Sequence, residues 1–251
     1  MDRLVGQITE VVRKCGSFIL QADRKNSHVV SKEGHANFVT EYDKKVQEML
    51  KGELLAILPE AFFVGEEENI HSRVDTGYAF VVDPIDGTTN FIKDYRASSI
   101  SVGLLKDGRQ YIGVVYNPYM DEMFTAKAGE GAFLNGEPIH VTDRELSDGL
   151  VVMGTAPYYE ELHDKTFAMA RHYFDRSLDL RRSGSAAIDL CTVAAGRAEL
   201  FFEMRLQPWD FAAGSLIVKE AGGVARTAEG KELVFDKPCS VIASNYVCRN
   251  E

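Results

Sequence analysis

Leu4, Ile8, Val11, Cys15 and Phe18 recur at three- and four-residue steps. That period places them on one stripe of an amphipathic helix running to about Ala22. The next stretch, DRKNSHVVSKEGHANF, is polar and reads as a loop or a short hairpin. Val46, Met49, Leu50, Leu54 and Ile57 form a second helical stripe, opened by Thr40 as N-cap and closed before Pro59. The period then shortens. AFFVG, YAFVVD, SSISVGLL and YIGVVYNP are strand-like runs rich in β-branched and aromatic residues, with LKDGRQ as the hairpin turn between the last two. Beyond LVVMG the pattern alternates: a helix near 160–175, a strand near 177–180, a helix near 185–196 and a strand at AELFFE. A helix follows from about Asp210 to Ala221, stopped by Gly222-Gly223, and two short strands close the chain.

Helices followed by a sheet, then alternating strands and helices, predict a layered α+β and α/β architecture. No low-complexity linker and no internal repeat divides the chain, so residues 1–251 read as one domain. Its N-terminal α+β half covers about 1–147 and its C-terminal α/β half about 148–251. The 251 residues carry 28 Lys+Arg against 38 Asp+Glu, a formal net charge of −10. That balance disfavours nucleic acid and anionic membrane as partners, since both need a basic footprint. No run approaches the roughly 18 apolar residues of a membrane span. The first residues lack a signal-peptide core. Cys15, Cys191, Cys239 and Cys248 are scattered without a CxxC pair, which fits buried thiols in a reducing cytoplasm. The six histidines lack zinc-site spacing.

GEGAFLNG at 129–136 lacks the third glycine of a dinucleotide loop and reads as a turn, and RSGSAA at 182–187 is no nucleophile elbow. The most informative segment is YAFVVDPIDGTTNF, 78–91. A buried strand ends at Asp83, Pro84 fixes a bend, and Asp86-Gly87-Thr88-Thr89 turns into a helix start. Asp86 alone would be an ordinary N-cap. Together, Asp83 and Asp86 point into one small volume beside the peptide N–H groups of Gly87, Thr88 and Thr89, an anion-binding arrangement. Carboxylates beside an anion site repel phosphate unless cations lie between, and hard oxygen ligands suit Mg²⁺. Glu66 ends the FFVG strand, Asp210 sits in the first turn after Pro208, and Thr40 with Asp43 fits a capping box.

VGEE, DPIDGTTNF and PWDFAAG, in this order and spacing, closely resemble the inositol monophosphatase family of Mg²⁺-dependent, lithium-sensitive phosphatases. The resemblance runs from KEGHANFVTEYD to KEAGG and implies a layered αβαβα sandwich, assembled as a homodimer. It implies that Glu66, Asp83 and the Ile85 carbonyl hold one Mg²⁺, and Asp83, Asp86 and Asp210 a second. A third, weaker ion lies near Glu66. Thr88, paired with Asp43, activates water together with Glu66, and the metal-activated water attacks phosphorus directly. Lys32, eleven residues before Asp43, falls where the family carries a lysine near the third metal.

The resemblance also implies that Asp86, Gly87, Thr88, Thr89, Gly184, Ser185, Ala186, Glu203 and Asp210 contact the substrate, a small-molecule phosphate ester. Glu203, seven residues before Asp210, matches the glutamate that binds ring hydroxyls and points to inositol 1-phosphate. Arg205 departs from the family, standing where many members have a small residue. Arg96, Arg181, Arg182 and Arg205 offer basic partners for a second phosphate. Fructose 1,6-bisphosphate, histidinol phosphate and 3′-phosphonucleotides therefore stay open, as does a catalytically silent regulatory member.

Overall fold

The computed structural model describes residues 2–23, 29–31, 38–67 and 73–248, with 29–31 and 38–39 as backbone only. Lys32 lies outside the described residues. Helix α1 (Arg3–Leu20) is capped by Asp2, whose Oδ1 accepts from the Leu4 N–H at 2.8 Å. Strands β1 (Val29–Ser31) and β2 (Phe38–Thr40) pair antiparallel in the polar stretch that reads as a loop or a short hairpin. Helix α2 (Glu41–Ile57) follows, its capping box formed by Thr40 and Asp43.

Seven strands in sequence order make the first sheet: β3 (Phe62–Gly65), β4 (Tyr78–Asp86), β5 (Ser99–Lys106), β6 (Arg109–Asn117), β7 (Glu122–Lys127), β8 (Ala132–Leu134) and β9 (Glu137–Ile139). Only β3 and β4 run parallel. Helix α3 (Thr88–Ile92), one turn long, leaves β4. The C-terminal half holds β10 (Leu150–Met153), α4 (His163–Phe174), β11 (Asp179–Arg181), α5 (Ala186–Ala194), β12 (Leu200–Leu206), α6 (Pro208–Glu220), β13 (Val224–Arg226) and β14 (Cys239–Ser244). Its sheet is ordered β11-β10-β12-β14-β13, with β10, β11 and β12 parallel.

The two larger sheets and five of the helices thus stack as α1/α2, seven strands, α5/α6, five strands and α4, the αβαβα order expected. Strand β4 shows why YAFVV is apolar without a break: Phe80 and Val82 pack toward α1 and α2, while Ala79 and Val81 pack toward α6. A strand buried on both faces loses the alternation of a half-exposed one. Helix α6 is likewise buried all round, with ten of its thirteen residues inside, so it must be a middle layer. It lies almost backbone-on-backbone against the first sheet. A Cβ added at Gly113 would sit 2.7 Å from the Ala213 carbonyl oxygen.

The structure departs from the sequence expectations in three places. Strand β4 continues past Pro84 to Asp86 through a register shift between Asp83 and Asp86. Helix α6 begins at Pro208, two residues earlier than the pattern indicated, because proline suits the first helical position. GEGAFLNG is not turn throughout. It contains β8, flanked by turns with positive φ at Gly129, Gly131, Asn135 and Gly136, and opens no helix. Among the described residues, no helix is long and apolar enough to cross a membrane.

Candidate active site

Parallel strands of both sheets end at one cavity of about 440 Å³. From the first sheet, β3 ends before Glu66 and β4 ends at Asp86. From the second, β10 leads to Gly154, β11 to Arg182 and β12 through Glu203 to Leu206. The carboxyl ends of parallel strands are where α/β sheets place their ligands.

The β4–α3 turn builds the floor. Asp83, 3% exposed, accepts through Oδ1 from the Ile85 N–H at 3.0 Å. Gly87 has φ +89°, and a Cβ there would meet the carbonyl oxygens of Ala97 and Gly184 at 3.1 Å, so only glycine fits. The Gly87 carbonyl takes the Phe91 N–H at 3.0 Å, closing the first turn of α3. The amides of Thr88 and Thr89, in that first turn, have no intrahelical acceptor. Thr88 Oγ1 lies 3.1 Å from Asp43 Oδ1 and 3.2 Å from the Ile85 carbonyl. Asp43 itself is fully buried and does not line the cavity. Its Oδ2 accepts from the Thr40 N–H at 2.7 Å, so one carboxylate caps α2 and reaches the site through the Thr88 hydroxyl.

The facing wall is stapled to this floor. Asp86 Oδ2 accepts from Ser185 Oγ at 2.6 Å and from the Ala187 N–H at 2.7 Å. Asn90 donates to the Ser183 carbonyl at 2.9 Å. These bonds bring Gly184, Ser185 and Ala186 to the cavity. Asp210, the third residue of α6, accepts from the Gln207 N–H at 2.7 Å. Glu203 Oε1 accepts from the Ala156 N–H at 2.9 Å. Its Oε2 fills the place of the missing Gly154 side chain, since a Cβ there would lie 1.8 Å away.

Burial dominates the electrostatics. It pushes the Asp86 carboxyl up to about 6, against the bonds from Ser185 and Ala187. Burial and then the charges of Glu66 and Asp86 hold Asp83 well above the carboxylate range. Asp210 is raised in the same way, by burial and then Asp86 and Glu66. Glu203 rises to about 7, again mainly through burial. Buried carboxylates whose charges raise Asp83 and Asp210 across a common space form a negative well. Among the described residues no three side chains form a closed ligand cage; the carboxylates face a shared volume instead. That openness and the all-oxygen donor set fit Mg²⁺, which retains water and takes phosphate oxygens as ligands.

Of the described residues that the sequence assigned to metal, water or substrate, all but Asp43 line this cavity. Two of the four arginines do not belong to it: Arg96 pairs with Asp94 and Arg181 with Asp179 on the surface. Arg182 and Arg205 do line it. Asn90, inside DPIDGTTNF but given no role there, and Gly154, Tyr158, Tyr159 and Asp189, outside every motif, also line it. Tyr158 has its phenol pushed up to about 12, by burial and then by the charges of Glu66 and Asp210. GTAPYY directly after a β-rich run, with its glycine one residue and its proline four residues beyond β10, is the available signal for Gly154, Tyr158 and Tyr159.

Comparison with known proteins agrees with this geometry. Residues 1–251 match the inositol monophosphatase family. An inositol-1-monophosphatase of Rhizobium meliloti is 40% identical over 223 residues, 88% of this chain and 82% of that protein. Nus factor SuhB of Salmonella typhimurium is 37% identical over 220 residues, 87% of this chain and 82% of that one. The crystal structure of extragenic suppressor protein suhB from Bartonella henselae superposes with a TM-score of 0.92 at 34% identity, covering 99% of this chain and 96% of that one.

Proposed function

As the chain belongs to the inositol monophosphatase family, we propose that it is a Mg²⁺-dependent phosphomonoesterase whose principal substrate is inositol 1-phosphate. The observation that carries this reading is the set of buried carboxylates Asp83, Asp86 and Asp210, each raised by burial, gathered with Glu66 around the α3 amides. Glu66, Asp83 and the Ile85 carbonyl would hold one ion, and Asp83, Asp86 and Asp210 another. Bound there, Mg²⁺ would neutralise phosphoryl charge and lower the pKa of water.

The protein's own groups do the rest. The amides of Gly87, Thr88 and Thr89 receive phosphoryl oxygens, and they contribute as individual donors because α3 has only five residues. Thr88 orients the attacking water: its hydroxyl accepts from the water while donating to Asp43 Oδ1, which fixes the direction of its proton. Asp43, held by Thr40, is a positioning residue. Glu203, clamped between Ala156 and Gly154, presents a carboxylate to ring hydroxyls, and Gly184, Ser185 and Ala186 bound the ring. These roles use every cavity residue that the sequence assigned to metal, water or ring, with no protein nucleophile.

The same reading carries lithium inhibition, a homodimer and a cytoplasmic location. The experiment is phosphate release from inositol 1-phosphate with Mg²⁺ and with chelator. Release that survives chelation refutes the metal assignment. A second reading rests on the SuhB relative at 37% identity: a Nus-factor role without catalysis. Absence of phosphate release from any phosphomonoester in Mg²⁺ would select it.

A further inference from the structure

Among the described residues, Tyr158 is the one exposed large apolar side chain that lines the cavity, at 44%. Ile85, Leu206 and Trp209 also line it but are buried. Neither metal binding nor water activation uses Tyr158. We propose that Tyr158 is a specificity-determining residue: its ring packs on the C–H face of a cyclic polyol and so selects ring esters over short open-chain ones. This rests on the phosphomonoesterase reading and names the residue that sets its preference for a ring. A cyclic polyol such as inositol carries hydroxyls around its rim and leaves axial C–H groups across one face, a shape that an aromatic face complements.

Three observations carry the assignment. First, the turn that bears Tyr158 is fixed. Ala156, directly before Pro157, has φ +43°, a left-handed conformation that a non-glycine residue rarely adopts. Its N–H donates to Glu203 Oε1 at 2.9 Å, and its carbonyl accepts the Tyr159 N–H at 3.0 Å, so the chain is closed on both sides of Tyr158. Second, the Tyr158 ring is braced. It meets Tyr159 edge to face, with centroids 6.5 Å apart and planes at 74°. Tyr159 is itself pinned by Arg205, whose guanidinium carbon lies 4.5 Å from its centroid. Third, the hydroxyl end points inward while the ring stays open to the cavity. Burial and then the charges of Glu66, Asp210 and Glu203 raise its phenol. The ring therefore spans the ground between the metal-facing carboxylates and the residue that meets ring hydroxyls. An ester with its phosphate at the α3 amides and its hydroxyls at Glu203 lays its ring against Tyr158. Because Glu203 also clamps the turn, hydroxyl contact and stacking surface move as one unit.

The test compares steady-state kinetics in Mg²⁺ on inositol 1-phosphate and on glycerol 2-phosphate, an open-chain ester. Tyr158→Ala should raise KM for inositol 1-phosphate about tenfold with a far smaller change in kcat, the size of one good aromatic contact with its buried area. That rise should exceed the rise for glycerol 2-phosphate by at least about fivefold. Tyr158→Phe and Tyr158→Trp should restore most of the lost affinity, because the ring face and not the hydroxyl makes the contact. Equal losses on both esters, a Tyr158→Phe as impaired as Tyr158→Ala, or a wild type that prefers glycerol 2-phosphate would overturn the proposal and leave the phosphatase reading standing. If wild type releases phosphate from neither ester, the phosphatase reading fails. Calorimetric titration of inositol 1-phosphate in Mg²⁺ then decides the stacking by the same order of variants in Kd, and no binding by wild type overturns it.

Discussion

Replacing Asp86 by asparagine should make the metal-free protein more stable while disabling it. Raising the Asp86 carboxyl from 3.8 to about 6 through burial corresponds to on the order of 3 kcal/mol of preference for the neutral form. The folded-state value lies above the unfolded one. The native state therefore binds the proton more tightly, and the associated stability is fully present below about pH 3.8 and lost as pH climbs through about 6. Metal-free wild type at pH 8 carries the whole penalty. Asparagine cannot ionise, yet its amide oxygen still accepts from Ser185 Oγ and the Ala187 N–H, the two bonds that Oδ2 makes now. In chelator at pH 8 the variant should exceed wild type by about 1–3 kcal/mol, a Tm gain of roughly 3–10 °C for a domain of this size. At pH 4 or below the gap should close. Saturating Mg²⁺ should reverse the order, because wild type gains about 2.7 kcal/mol at a hundred times Kd and the variant lacks a ligand. Thermal or urea unfolding at both pH values reads all three. A variant no more stable than metal-free wild type at pH 8, or a gap that persists unchanged at pH 4, refutes the reasoning.

Other outcomes follow from the same geometry. Asp83→Asn should lower kcat by about 100-fold or more, since Asp83 would serve both ions; near-normal turnover in a steady-state assay removes it from the metal site. Thr88→Ala should cost about 100-fold in kcat with KM little changed, and Thr88→Ser should recover most of it, because only the hydroxyl between Asp43 and the water is needed. Gly154→Ala drives a methyl into the space of Glu203 Oε2. It should raise KM for inositol 1-phosphate and cost about 1–3 kcal/mol in urea unfolding. Gly113→Ala, far from the cavity, forces β6 off the Ala213 carbonyl and should cost a similar amount of stability.

The sequence carried the metal-facing half of the site better than the substrate-facing half, and the reason is physical. Asp83, Asp86 and Thr88 lie within six residues because one strand, one bulge and one helical turn place them, so local spacing encodes their geometry. Asp210 and Asp43 each sit in a helix first turn, a position that patterning locates well. Gly154, Tyr159 and Asn90 become neighbours of the site only through tertiary approach: Gly154 because Glu203 of another strand needs its space, Asn90 because it spans 93 residues to Ser183. Strands β8 and β9 escaped because three-residue strands between positive-φ turns leave no run long enough to show a period.

Helix α6 has a mechanical consequence. Gripped by both sheets, with its backbone on Gly113 and its buried residues facing either way, it works as a key in a slot. The sheets cannot shear past each other without unseating it, so the distance from Asp210 to the β4 carboxylates behaves as a fixed gauge. Traffic through the cavity then falls to the chain segments at its rim. A mutation that loosens the key should blur the spacing of the carboxylates before it unfolds the protein. Activity would then fade at temperatures where the helical signal is still intact.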